Sequence, residues 1–296
     1  MRLKHHINFW FKYITKQTPS TKSIRLTRLE QERIEHYCSP RTHLTSNLVP
    51  ANSVKLTQMS GYSYDWYQMF SSLDSRKCAY KFGDVTQEHS QPTLTKSRPI
   101  NGSTNNNVLL PLDSVRHFSF INDNTHFEGK KDVAIWRGAA YQKHRKLFLT
   151  KTKDLITTDI ADTSLTSNTV FGKKSDAFLS KKTQLKAKYI FAIEGNDVAS
   201  NLKWVMGSNS VPIMPKPKFE TWFCESKLVA GQHYIEVSDD FSNVQEVLEY
   251  YLSNPKISSE ISEEGKLYAL QYISIERQYA IAMEVIEKYF SYIANT

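Results

Sequence analysis

The chain has 296 residues, 40% of them hydrophobic and 23% charged, with a net charge of +8 and a pI near 9.1. This balance fits a folded soluble protein, built as one large domain or two small ones. No run of 18 apolar residues offers a transmembrane helix, and Cys38, Cys78 and Cys224 are too far apart for a CxxC metal motif or a disulfide framework. The basic excess favours an anionic partner, whether nucleic acid, anionic lipid, phosphorylated glycan or sugar nucleotide.

Residues 1–28 hold seven Lys or Arg and no acid. Within residues 1–16, Leu3, Ile7, Trp10, Phe11 and Ile14 fall at helical spacing among Arg2, Lys4, Lys12 and Lys16. A basic aromatic helix of this kind suits an anionic membrane surface or packs on its own domain. The segment lacks the continuous apolar core of a signal peptide, so a cytoplasmic location is expected. Residues 23–37 read as a helix, and 38–60 as loop broken by Pro40 and Pro50. Tyr62, Tyr64, Trp66, Tyr67 and Phe70 form an aromatic cluster, suited to core packing or to stacking on sugar rings.

Residues 78–82 read as a strand running into Gly83-Asp84-Val85-Thr86. Residues 87–107 are polar and read as a long loop, with a strand over 108–112. Residues 133–136 are a short buried strand, followed by Arg137-Gly138 and a helix over 143–150. The polar stretch 125–131 marks a boundary, giving an N-terminal domain over 1–128 and a C-terminal one over 129–296. Residues 154–162 and 170–179 are ambiguous. The apolar run 189–193 is a buried strand broken by Glu194-Gly195-Asn196-Asp197. Asp197 suits an N-cap for a helix over 198–206, stopped by Gly207, and 210–214 is the next strand. Strand, turn, helix and strand make a βαβ unit whose ligand position lies at the carboxyl end of the first strand. A strand over 233–237 follows. Ser242-Asn243-Val244-Gln245 has the form of a capping box, and two helices close the chain over 257–273 and 275–293.

KYIFAIEGNDVASNLKW, SVPIMPKP, FETWF and HYIEV, with DVAIWRG at 132–138 and FGDVT at 82–86, together resemble glycosyltransferase family 90. This capsule-associated-protein-like family includes protein O-glucosyltransferases and bacterial lipopolysaccharide-core transferases, and the similarity is strongest to the bacterial branch. It covers residues 80 to 290. The resemblance implies an α/β, GT-B-like fold, with two Rossmann-type domains facing across a cleft and terminal helices. It implies transfer from a nucleotide sugar, UDP-linked, to lipopolysaccharide core or a related glycan, with no bound cofactor.

Such a transfer needs a base for the acceptor hydroxyl and positive charge for the departing diphosphate. The chain contains no Asp-x-Asp, so an inverting site without metal, using Arg, Lys and a helix N-terminus, is the economical expectation. The resemblance places diphosphate binding around Arg137, Gly138 and Arg145, and Arg137 could equally pair with a buried carboxylate. Ser200, Asn201 and Lys203 lie in the first turns of the 198–206 helix. Asn201 stands where the protein O-glucosyltransferase branch carries a basic residue, and Lys203 is either a phosphate ligand or a solvated helix residue. Glu194, Asn196 and Asp197 could hold sugar or ribose hydroxyls, or simply make the turn. The resemblance makes Asp84 the base, with His89 and Asp113 as alternatives and an Asx turn as its ordinary role. A basic protein binding nucleic acid or another anionic surface without catalysis rests on charge alone, and no nucleic-acid motif supports it. A sugar-nucleotide epimerase or dehydrogenase would want GxGxxG after a strand, which is absent.

Overall fold

The computed structural model describes residues 24–43, 48–54, 60–70, 74–166 and 178–294. The basic helix expected over 1–16 and most of 170–179 lie outside them.

The C-terminal half is built on a five-stranded parallel sheet. In chain order its strands are β7 (Lys131–Gly138), β8 (Thr158–Asp162), β9 (Ala187–Phe191), β10 (Val211–Met214) and β12 (Ile235–Glu236). They lie side by side as β12-β10-β9-β7-β8. All five residues of β9 are buried, as a central parallel strand covered on both faces requires. Alternate side chains serve opposite faces. Trp136, Phe191, Ile213 and Ile235 join Phe148, Phe241 and Leu248 on one side. Ile135 and Ile190 meet Trp204 and Val205 on the other. The helices of this half are α4 (Lys143–Thr152), α5 (Lys181–Gln184), α6 (Leu202–Met206), α7 (Val244–Ser253), α8 (Pro255–Leu270) and α9 (Ile275–Ala294).

The N-terminal half is less regular. Helix α1 (Arg28–Tyr37) starts at a Thr27–Glu30 capping box, five residues later than the apolar pattern suggested. Helix α2 (Gly61–Met69) carries the aromatic cluster, and α3 (Ser114–His117) is a single turn. Strands β1 (Val49–Pro50) and β2 (Lys77–Cys78) pair antiparallel. Strands β3 (Tyr80–Lys81), β4 (Thr93–Thr95) and β6 (Asn107–Leu109) form a small parallel sheet. Among the described residues no helix crosses between these three strands.

The polar stretch 87–107 is therefore not one long loop. It contains β4 and β5 (Ser97–Pro99), with Thr93, Thr95, Lys96, Ser97 and Arg98 all buried. Their polar groups are satisfied internally, so the segment enters the interior without an apolar pattern. Strand β5 pairs antiparallel with β11 (Phe219–Thr221), which stitches the two halves together. Across that pair Arg98 Nε donates to Glu220 Oε1 at 2.7 Å, both side chains buried.

Helix α9 closes the fold. Its Ile281, Val285, Ile286 and Tyr289 share one core with Tyr37, Trp66, Phe70, Leu94 and Leu109 of the N-terminal half and Trp222 and Phe223 of the C-terminal half. Tyr37 stacks on Trp222 at 3.9 Å between ring centroids. In the aromatic cluster Trp66 is 2% exposed and packs on Phe70, Tyr80 and Phe82, so most of it serves the core, while Tyr67 is exposed. The expected Ser242–Gln245 capping box does not form. Ser242 instead turns on Asp240, and the Asn243 amide oxygen accepts from Ser238.

Candidate active site

After β7 the chain crosses to β8 on one side, and after β9 to β10 on the other. The sheet order thus reverses between β7 and β9, a switch point at whose carboxyl ends open α/β sheets form the crevice that holds their ligands. Its walls are residues 138–142 and 194–201. Arg145, in the first turn of α4, ties the two walls. Its guanidinium donates to the carbonyls of Ala139 at 2.9 Å, Ile193 at 2.7 Å and Glu194 at 2.8 Å. Burial, with the Arg116 charge, lowers its pKa to about 10, so it remains cationic at neutral pH. His144 Nε2 is 2.7 Å from the same Glu194 carbonyl. Glu194 Oε1 accepts from the amides of Lys218 and Phe219, and burial pushes its carboxyl up to about 7.

The N-terminal half supplies the facing side. Asp84 follows Gly83, which has φ +100°, a conformation that favours glycine. Its Oδ1 accepts from Lys96 Nζ at 2.7 Å and its Oδ2 from the Asn196 amide at 3.0 Å. Asn196 is held in turn by Gln142 Nε2 at 2.9 Å. Lys96 Nζ also lies 2.8 Å from Asp197 Oδ2 and 5.8 Å from the centre of the Tyr62 ring. Burial alone would raise the Asp84 carboxyl, but the Lys96 bond and charge, the Asn196 amide and the Arg116 charge hold it below the ordinary carboxylate range.

Asp113 completes the cluster. It takes the left-handed conformation at φ +57°, and its Oδ1 lies where a Cβ on Gly61 would be, so a side chain at residue 61 would displace the Asp113 carboxylate. Burial raises its carboxyl, and the Asp84 and Asp197 charges add to this against those of Arg116 and Lys96. The Arg116 guanidinium, 58% exposed, stands 3.9 Å from it. Three carboxylates and two cations thus meet at the crevice. One cation, Lys96, is buried; the other, Arg116, is open to solvent and able to meet an anion. Among the described residues no group of three His, Cys, Asp or Glu side chains is placed to hold a metal.

The structure brings together Asp84, Asn196 and Asp197, with Glu194 and Arg145 alongside. Of the other expected ligands, Gly138, Ser200 and Asn201 belong to the walls, whereas Arg137 and Lys203 are engaged in ion pairs. Arg137 Nη2 pairs with Asp159 at 2.7 Å and Nη1 donates to the Asp159 carbonyl at 2.6 Å, a carboxylate pairing like its alternative, except that the Asp159 side chain is 52% exposed rather than buried. Gly138 ends β7 opposite Asp162, with the Trp136 indole where a Cβ would be. Ser200 is half-buried in the turn before α6, and the Asn201 amide donates to the Phe191 carbonyl at 2.9 Å.

Lys203 is a correction. It is fully buried and ion-paired with Glu225 under the Phe223 ring, neither in the crevice nor in solvent. The helix is a second correction. It spans Leu202–Met206, all buried, and does not start at Val198. Asp197 does not cap it, because its carboxylate goes to Lys96 instead. His89 lies in the loop under the Asn107 amide oxygen, with its ring Nε2 buried and unpartnered. No motif in the sequence marks Lys96, Arg116 or Gln142 as site residues, and Tyr62 is expected there only as part of the aromatic cluster. The run Lys96-Ser97-Arg98 was visible there, but nothing local marked it as buried.

The model of Glycosyl transferase family 90 matches residues 112–295. The O-glucosyltransferase LpsA of Dichelobacter nodosus is 39% identical over 234 residues, covering 78% of this chain and 73% of its own. Protein O-glucosyltransferase 3 of Rattus norvegicus is 26% identical over 224 residues, which are 74% of this chain and 40% of that one. A doubly wound sheet with an acid and base cluster at its switch point, the family match over most of the chain and these relatives lead to one conclusion: the chain belongs to glycosyl transferase family 90 and is a glycosyltransferase.

Proposed function

We propose that the protein moves a sugar from a nucleotide donor, UDP-linked, to a hydroxyl of lipopolysaccharide core or a related cell-surface glycan, with inversion and without a metal. The observation that carries this reading is Asp84, an ionised carboxylate presented by the N-terminal half at the sheet switch point, with its side chain 25% exposed. Asp84 accepts the proton of the acceptor hydroxyl while that oxygen bonds to the anomeric carbon. The bond to the diphosphate oxygen breaks, and the nucleoside diphosphate leaves with the electron pair. Arg145 shapes the donor wall and lends it positive charge, and Arg116 is the exposed cation within reach of the leaving group. Glu194, Asn196 and Ser200 line the same wall and suit sugar or ribose hydroxyls.

Both relatives are named O-glucosyltransferases, which supports glucose as the transferred sugar. In this reading residues 1–128 form the acceptor side and 129–296 the donor side of a GT-B-like pair. The protein works in the cytoplasm, peripherally on the membrane that carries its acceptor.

The test is a panel of sugar nucleotides with and without EDTA, run on the wild type and on Asp84→Asn. Donor turnover should survive EDTA and fall about 10²–10⁴-fold in the variant, the range general-base catalysis supplies. Melting temperature and UDP affinity should stay close to wild type. Turnover within a few-fold of wild type would move the base to Asp113, whose raised carboxyl makes it the next candidate. Loss of folding or of UDP binding would reduce Asp84 to a structural role.

A further inference from the structure

Lys96 forms the single-residue corner between β4 and β5, and its side chain is 2% exposed. Burial penalises the ammonium, yet the Asp197 and Asp84 carboxylates hold the Lys96 amine above its ordinary range, so the group stays charged in the interior. Its Nζ lies 2.7 Å from Asp84 Oδ1 and 2.8 Å from Asp197 Oδ2. It thus joins two carboxylates 113 positions apart in the chain, one on the loop after β3 and one on the turn after β9.

We propose that Lys96 is a positioning residue: it clamps Asp84 to Asp197 across the two halves, fixing the base against the donor-binding turn. The inference rests on the reading of Asp84 as the base. Both Asp84 oxygens are tethered, Oδ1 by Lys96 and Oδ2 by Asn196, so the carboxylate cannot rotate freely. Tyr62 from α2 covers the ammonium, and Asp113 and Arg116 face the cluster from residues 113–116. With Lys96 removed, Asp84, Asp113 and Asp197 would face one another with Arg116 alone at the edge. Like charges at that distance cannot all persist, and a carboxyl of the group would take up a proton.

The experiment compares full-length wild type, Asp197→Asn, Lys96→Arg, Lys96→Met and the double variant Lys96→Met/Asp197→Asn. The double variant removes the cation together with one stranded anion, which protects folding. The Asp84 carboxyl is followed by 13C NMR on aspartate-labelled protein, its resonance assigned with Asp84→Asn. Release of UDP from UDP-glucose in the presence of lipopolysaccharide core is measured alongside. The Asp84 midpoint should rise by about one pH unit or more in the double variant, a tenfold change in proton affinity. Turnover should fall at neutral pH because the still-ionised carboxylate is no longer held in place, its acid limb should move up in step with the midpoint, and Lys96→Arg should recover part of both. An unmoved Asp84 midpoint in the folded double variant overturns the inference, whatever its melting temperature. So does normal turnover in the double variant when Asp84→Asn is inactive. The base reading fails separately, if Asp84→Asn turns over normally.

Discussion

Replacing Lys203 by Met distinguishes a buried structural ion from a phosphate ligand. The Lys203 side chain is 0% exposed and that of Glu225 1%, so both charges are shielded from water. Glu225 also accepts from the Thr221 amide at 2.7 Å and the Thr221 hydroxyl at 3.0 and 3.1 Å. With the ammonium gone, those bonds remain but the carboxylate is a buried charge without its cation. Removing one partner of such a pair costs about 3–5 kcal/mol, out of a total stability of about 5–15 kcal/mol for an ordinary domain. With a urea m-value of about 3 kcal/mol/M, the unfolding midpoint of Lys203→Met should fall by roughly 1–1.7 M. Lys203→Met/Glu225→Gln removes both charges at similar volume and should recover most of that loss, since replacing a whole buried pair is often close to neutral. Urea unfolding followed by tryptophan fluorescence reads the midpoints, and calorimetric titration with UDP reads the affinity, which should be unchanged in the double variant. A folded Lys203→Met protein with a wild-type midpoint and weakened UDP binding would refute the reasoning and return Lys203 to the donor site.

Glu194 gives a pH dependence. Its carboxyl is raised from the ordinary 4.5 to about 7, chiefly by burial. The unfolded chain therefore releases this proton first. The stability it lends is complete below about pH 4.5 and is lost as pH rises through about 7. Melting scans between pH 4.5 and 8 should show Glu194→Gln losing less stability with rising pH than the wild type; parallel curves would count against the assignment. The three cysteines are free and buried, and burial pushes Cys38 and Cys78 to about 12 and Cys224 to about 11. Native protein should react with a disulfide thiol reagent far more slowly than protein in denaturant, and rapid native labelling would mean that one of these sites opens. Deleting residues 1–16 should reduce sedimentation with anionic vesicles and leave turnover of a soluble acceptor near normal; equal vesicle binding after deletion would remove the membrane role proposed for that segment.

The sequence by itself determined the elements whose apolar pattern is local. The run that became β9 is apolar on both faces because it lies at the centre of a parallel sheet, and α9 repeats its apolar positions because one face closes the core. The order of the family motifs also marked the glycosyltransferase, and the turn at 194–197 fell at the carboxyl end of β9. Tertiary structure alone decided what the polar residues do. Asp197 lies far along the chain from Lys96 and Asp84, and each of the three looks like a surface or turn residue until the other two are beside it. Lys203 reads as a helix lysine whether it faces water or Glu225. Arg145 has the charge of a phosphate ligand, yet its donors are spent on three carbonyls that line the crevice. Strands β4 and β5 carry no apolar pattern because, Leu94 apart, the buried side chains from Thr93 to Arg98 are Thr, Lys, Ser and Arg, and the burial of those depends on hydrogen bonds to other segments. The physical reason is common to all of these. Hydrophobic burial is a property of a residue and its near neighbours, so periodicity records it. Burial of a charge or a polar group depends on a partner that the fold alone brings within bonding distance.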